Sequence, residues 1–170
     1  MKLFSAVRTI LFAAALAVLS ITASATTNQF FSVIAPVELT ASAPTAGTTT
    51  RGLAYTGYVY SGTLPNTDNY TVGVGVYPVQ LAATDLQPAA EAFVSSISGK
   101  VLKTGTVTVD GQPAVMQTVE LTSEGRTIRV AWLGTYKGSR LYQFVFATYV
   151  DVQSTDMVAV GTFFTSITLN

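Results

Sequence analysis

The sequence predicts an α+β domain, with a central antiparallel sheet of about six to seven strands flanked by two main helices. Three observations predict it. Seven runs of β-branched and aromatic residues read as strands, the clearest with a strict two-residue alternation. The last four are joined by short turns that contain glycine, as in an antiparallel meander. Two other stretches repeat apolar residues at spacings of three and four, the signature of a one-sided helix.

Each element follows in order. Residues 30–36 form an apolar run that Pro36, lacking an N–H, brings to an end. Residues 40–50 are Ala, Ser, Thr, Pro and Gly and read as an exposed loop. Residues 52–60 place Leu53, Tyr55 and Val59 on one side and Tyr58 and Tyr60 on the other. After turn chemistry at 65–69, Tyr70, Val72, Val74 and Val76 alternate with Thr71, Gly73, Gly75 and Tyr77. Thr84-Asp85-Leu86-Gln87 has a capping-box pattern, and Leu86, Ala90, Phe93 and Ile97 make one helical stripe that Gly99 stops. Residues 101–109, 113–121, 126–134 and 140–150 read as strands, with joints at Asp110-Gly111, Ser123-Glu124-Gly125 and Lys137-Gly138. Ile128, Val130 and Trp132 share one face, and Tyr142, Phe144 and Phe146 share a face of the next strand. Ser154 is placed to cap a terminal helix whose stripe is Met157, Val160, Phe164 and Ile167.

Residues 1–25 carry a different signal. Lys2 and Arg8 flank a basic start, an uncharged run follows from Thr9 to Ser20, and Ala23-Ser24-Ala25 is a small-x-small cleavage motif. The run is shorter than the ~20 apolar residues a membrane span needs, so the expectation is a cleaved signal peptide and a single exported domain at 26–170. No stable membrane anchor is expected once the leader is gone, because no cysteine is present to take a lipid.

Composition excludes several chemistries. With no cysteine there is no disulfide framework, thiolate nucleophile or thiolate metal site, and with no histidine there is no Ser-His-Asp or Cys-His catalysis. Without Lys2 and Arg8, seven basic residues face nine acidic ones, a balance opposed to nucleic-acid binding. No cofactor motif is present: Gly73-Val74-Gly75 alternates inside a valine strand instead of opening a helix, so it is read as room for a close neighbour. Asn66, Thr67, Asp68 and Asn69 have hard oxygen ligands but not the spacing of a calcium loop, and read as a turn. Serines 95, 96 and 98 lie near Lys100 without a Ser-x-x-Lys pattern.

The runs Asp110-Gly111-Gln112-Pro113-Ala114, Gly138-Ser139-Arg140-Leu141-Tyr142-Gln143-Phe144 and Phe163-Phe164-Thr165-Ser166-Ile167-Thr168-Leu169 resemble the Mog1/PsbP-like group, and residues 31–36 are similar to its first strand. The resemblance implies a sheet sandwiched by helices and used mostly for protein association. Its members include a photosystem-associated lumenal protein, a binder of a nuclear GTPase, and many bacterial cell-envelope proteins of undefined role. The photosystem protein's metal and docking features involve histidines, so they do not carry over to a chain without any.

Two surface groups are candidates for partner binding. Tyr58 and Tyr60 offer large contact area at low rotamer cost if no helix covers them; otherwise they pack beneath a helix or loop. Arg126, Arg129 and Arg140, with Lys137, are the basic residues of one hairpin and would suit an acidic partner; the alternative is a solvated strand face. The expectation is thus a non-enzymatic, exported, periplasmic or extracellular domain that serves as a protein-binding or accessory factor of the cell envelope. A small-ligand carrier or hydrolase with a pocket between sheet and helix is one alternative, and a passive structural or stress-related component is another.

Overall fold

In the computed structural model, which describes residues 23–49, 51–151 and 155–170, the chain is predominantly β. Its strands are β1 (Ser24–Thr27), β2 (Phe31–Ala35), β3 (Thr40–Ala41), β4 (Thr45–Thr48), β5 (Ala54–Thr63), β6 (Asn69–Val76), β7 (Lys100–Val109), β8 (Gln112–Ser123), β9 (Arg126–Lys137), β10 (Arg140–Tyr149) and β11 (Thr168–Leu169). Its helices are α1 (Leu86–Ser96) and α2 (Met157–Thr165).

This corrects the expected architecture. In place of one sheet of six to seven strands between two main helices, the described residues form an eight-stranded sheet and a separate three-stranded sheet, with two short helices. The large sheet runs β3-β5-β6-β10-β9-β8-β7, with β4 also pairing to β5, and the small one runs β1-β2-β11. The first apolar run does not join the large sheet, because β1 and β11 occupy its two edges. It packs face-on instead: Phe31 meets Tyr60 at 5.1 Å and Phe144 at 6.0 Å, both edge to face. The stretch expected to be a loop at 40–50 supplies β3 and β4, which pair with β5.

The meander β7-β8-β9-β10 does form, antiparallel throughout. Its first turn falls on the expected joint, and the second drops Ser123 into β8. Asp110-Gly111 and Glu124-Gly125 each have two consecutive positive φ angles, the type I′ conformation that matches strand twist. The third turn is Gly138-Ser139, with φ +62° at the glycine. Chain reversal then brings β6 beside β10, and α1 with its preceding turn spans the sheet to reach β7.

Both faces of the large sheet's centre are covered. On one face Tyr70, Val72, Val74, Leu133, Tyr142, Phe144 and Phe146 join the small sheet and α2 in the main core. On the other, α1 lies over β8 and β9, with Leu86 and Ala90 buried and Phe93 stacked on Trp132 at 5.5 Å and 22°. The end of α1 is a Schellman closure: Gly99 N donates to Val94 O and Ser98 N to Ser95 O, with Ser98 in the left-handed region at φ +51°. Gly99 is needed for another reason, since a Cβ there would strike a Val119 methyl. Thr84 does not cap α1; the Asp85 carboxylate instead accepts from Ala82 N at 2.8 Å and closes the short 3-10 turn Ala83–Asp85 that leads into the helix.

For α2, Ser154 lies outside the described residues. Asp156 caps instead, accepting from Val158 N and Ala159 N at 2.9 and 3.2 Å. The helix is also turned from its expected phase. Phe163 is fully buried against Tyr70 (5.2 Å) and Phe144 (6.2 Å), Phe164 is half-buried, and Met157 is 68% exposed. Phe163→Ala should therefore cost about 3–5 kcal/mol in denaturant unfolding, while Met157→Ala should stay within about 0.5 kcal/mol. A larger loss at Met157 than at Phe163 would show that the helix sits in the expected phase after all.

Candidate functional site

The sequence-predicted surface residues do not converge. The Tyr58 ring packs on Phe30 at 4.6 Å and the Tyr60 ring on Phe31 at 5.1 Å, so both lie half-buried at the margin of the core beneath β2. Burial, and then the neighbouring Tyr58, raises the Tyr60 phenol above its usual range. Arg126 donates to Asp151 at 2.8 Å and lies over the Tyr149 ring at 3.6 Å. That hydrogen bond holds the Asp151 carboxyl below its usual range. Arg129 pairs with Glu120 at 2.9 Å, directly across the strand pair. Arg140 donates to the backbone O of Asn170 at 2.8 Å, and Lys137 to that of Leu169 at 2.6 Å, so this pair ties down the C-terminal strand. Arg126 and Lys137 are the two ends of β9, roughly 35 Å apart at about 3.3 Å per residue.

Of the β6 glycines, Gly75 is covered, while a Cβ at Gly73 would meet only the Gln143 Cβ at 3.8 Å. The Tyr77 ring lies 3.0 Å from where a Gly75 Cβ would sit, and Tyr55 packs on Tyr77 at 5.3 Å. The room expected there for a helix is filled by an aromatic pair. At the 66–69 turn, Asp68 is fully buried, and its two carboxylate oxygens accept from Thr155 Oγ1 at 3.1 Å and Asn66 Nδ2 at 3.0 Å. This network pins the turn to the segment that leads into α2.

What the fold exposes instead is β7. Among the described residues it ends the large sheet and is paired on one side only, to β8. Residues 100–108 are all exposed, with Val101, Leu102 and Val107 at 41%, 45% and 42%. Backbone polarity follows from Pro113. This residue has no N–H, and its C=O accepts from Thr135 of β9, so the Thr108–Pro113 pair is not hydrogen-bonded across β7–β8. Alternation then extends this to Thr106–Val115 and Thr104–Gln117. The N–H and C=O groups of Thr104, Thr106 and Thr108 consequently point away from β8, along the free edge.

Charge and geometry protect only the first part of this edge. Lys100, Lys103 and a bulge at 101–103 interrupt it, whereas residues 104–109 carry no charge and no register shift. A long, regular, uncharged edge is a template for strand addition.

Beside that edge, α1 and the sheet enclose an open groove of about 410 Å³. Val94 and Val101 give it apolar walls, Gln87, Glu91 and Ser95 of α1 form its rim, and Thr104 and Gln117 line the sheet side. Gln117 is 5% exposed, and its Oε1 is buried with no hydrogen-bond partner. The sequence held a signal for it: Gln117 falls between Val115 and Val119, in the inward phase of β8, where an apolar residue would normally sit.

The fold is PsbP-like. The solution structure of cyanobacterial PsbP (CyanoP) from Synechocystis sp. PCC 6803 matches with a TM-score of 0.60, at 13% sequence identity, over 93% of this chain and 98% of that one. Likeness at this identity shows a shared fold and leaves function to the sites. No protein-family model and no curated protein matches the chain.

An unpaired buried amide oxygen costs about 1–3 kcal/mol. Gln117→Leu is therefore expected to raise stability by about 1 kcal/mol, measured by denaturant unfolding. A loss of similar size would show that the amide is satisfied within the fold.

Proposed function

We propose that this chain is an exported accessory domain of the cell envelope, without catalysis of its own, that binds another protein by taking an extended segment of it onto β7. The carrying observation is the edge itself: three threonines in register present backbone donors and acceptors outward from a ten-residue strand that is paired on one side. The edge is already extended and held in register by β8, so an added strand would meet a preformed backbone template.

Two further features support the reading. The PsbP-like fold agrees with the Mog1/PsbP-like resemblance of the sequence, a group in which protein association is the common use. The basic start, uncharged run and Ala23-Ser24-Ala25 motif supply the export signal. Residues 1–22 of that leader lie outside the described residues, and among the described residues no helix is long and apolar enough to cross a membrane.

A second reading, a carrier for a small ligand, is favoured by the groove between α1 and the sheet. The two separate on the backbone. Thr106→Pro removes an outward N–H without removing a bond to β8, a substitution edge strands tolerate. Capture of a partner from the native envelope should fall at least ~10-fold for this variant while the melting temperature stays within a few degrees. Undiminished capture would overturn strand addition at β7.

A further inference from the structure

The groove sets a requirement on the strand that is added. Its walls are apolar, and on its sheet side the Gln117 Oε1 is a buried acceptor without a hydrogen-bond partner among the described residues. The charged group at its rim is the Glu91 carboxylate, which accepts from Gln87 Nε2 at 2.9 Å. Lys100 and Lys103 do not neutralise it. They pair with Glu120 and Thr118, which places them on the face opposite Thr104 and Gln117. The free edge and the groove adjoin at Thr104, which belongs to both.

We propose that the groove receives a lysine or arginine side chain from the partner strand, with its aliphatic stem on Val94 and Val101 and its donors directed to Gln117 Oε1 and Glu91. This rests on the strand addition proposed above and adds the side chain that addition selects. A basic residue satisfies both parts of the groove at once, since its stem is apolar and its head carries donors and no acceptor. An aliphatic side chain of similar size would cover the valines but bring no donor to the Gln117 oxygen or the Glu91 carboxylate. A carboxylate would be repelled by Glu91 and would offer the Gln117 oxygen nothing to accept.

The chain carries its own reporter. Trp132, its one tryptophan, is fully buried, pairs across the strands with Gln117, and stacks on Phe93 of α1. The probes are acetylated, amidated pentapeptides of sequence Thr-Val-Lys-Val-Thr, and the same peptide with Leu or Glu at its centre. Each is titrated into the protein while Trp132 fluorescence and the amide resonances of residues 104–108 are followed. The lysine peptide should shift both signals and bind about tenfold more tightly than the leucine peptide, and the glutamate peptide should bind weakest. Glu91→Gln and Gln117→Leu should each erase most of the lysine preference while leaving the fold intact by circular dichroism.

Leucine and lysine peptides that bind equally, with amide shifts along β7, would overturn the basic-side-chain pocket and leave strand addition standing. A lysine preference that survives in both variants would also overturn the pocket. Absence of amide shifts at 104–108 with every peptide would overturn strand addition itself, and the pocket with it.

Discussion

The register of the β9–β10 hairpin is the constraint on which both packed layers depend. Pairing Leu133 with Phe144 and Thr135 with Tyr142 turns those side chains to the main core, while Trp132 and Gln143 turn to the side of α1. There the Trp132 indole N–H donates to Gln143 Oε1 at 3.0 Å, and its ring occupies the space a Cβ on Gly134 would need. A slip of one residue would exchange the two faces. Trp132 would then confront Phe163, and Phe144 would confront α1. The Gly138-Ser139 turn, opening at φ +62°, admits no such slip without rebuilding the loop.

From that hairpin, burial falls off unevenly toward the two edges of the sheet. β5 gains a second layer from Phe30 and Phe31, and β6 from Phe163 of α2 on Tyr70. On the other side, β8 is half covered by α1, and β7 has only Val109 buried. Stability in such a sheet is graded, with outer strands opening at lower free energy than central ones. A binding edge belongs at the low end of that gradient, where local rearrangement leaves the aromatic centre undisturbed.

Much of this fold was legible in the sequence, for identifiable reasons. The seven longer strands are long enough to show two-residue alternation or an apolar run, and their glycine turns mark the reversals. β3 and β11 have two residues each and β4 has four, too few for a period to register. β1 was hidden because Ser24 and Ala25 also read as a leader terminus. In α2 the adjacent Phe163 and Phe164 made two helical phases equally apolar, and contact with Tyr70 and Phe144 decides between them. Neighbour relations were the largest omission. Which strand ends a sheet is a tertiary property, so the open side of β7 had no local signature, and Gln117 stood out only as a polar residue in an apolar phase.

β1 shares Ser24 and Ala25 with the small-x-small motif, so the export proposed above would set an order on docking and cleavage. Thr26 and Thr27 pair with Val33 and Ser32, and Ser24 and Ala25 pair with Ala35 and Ile34. A peptidase must hold its target as a lone extended chain, so docking of this segment on β2 and enzymatic clipping compete for the same backbone. On the export proposed above, cutting after Ala25 would have to come before docking on β2, and would halve the strand. On that proposal, a chain folded before cutting would hold the Ala25–Thr26 bond within the β1–β2 pairing, out of an enzyme's reach.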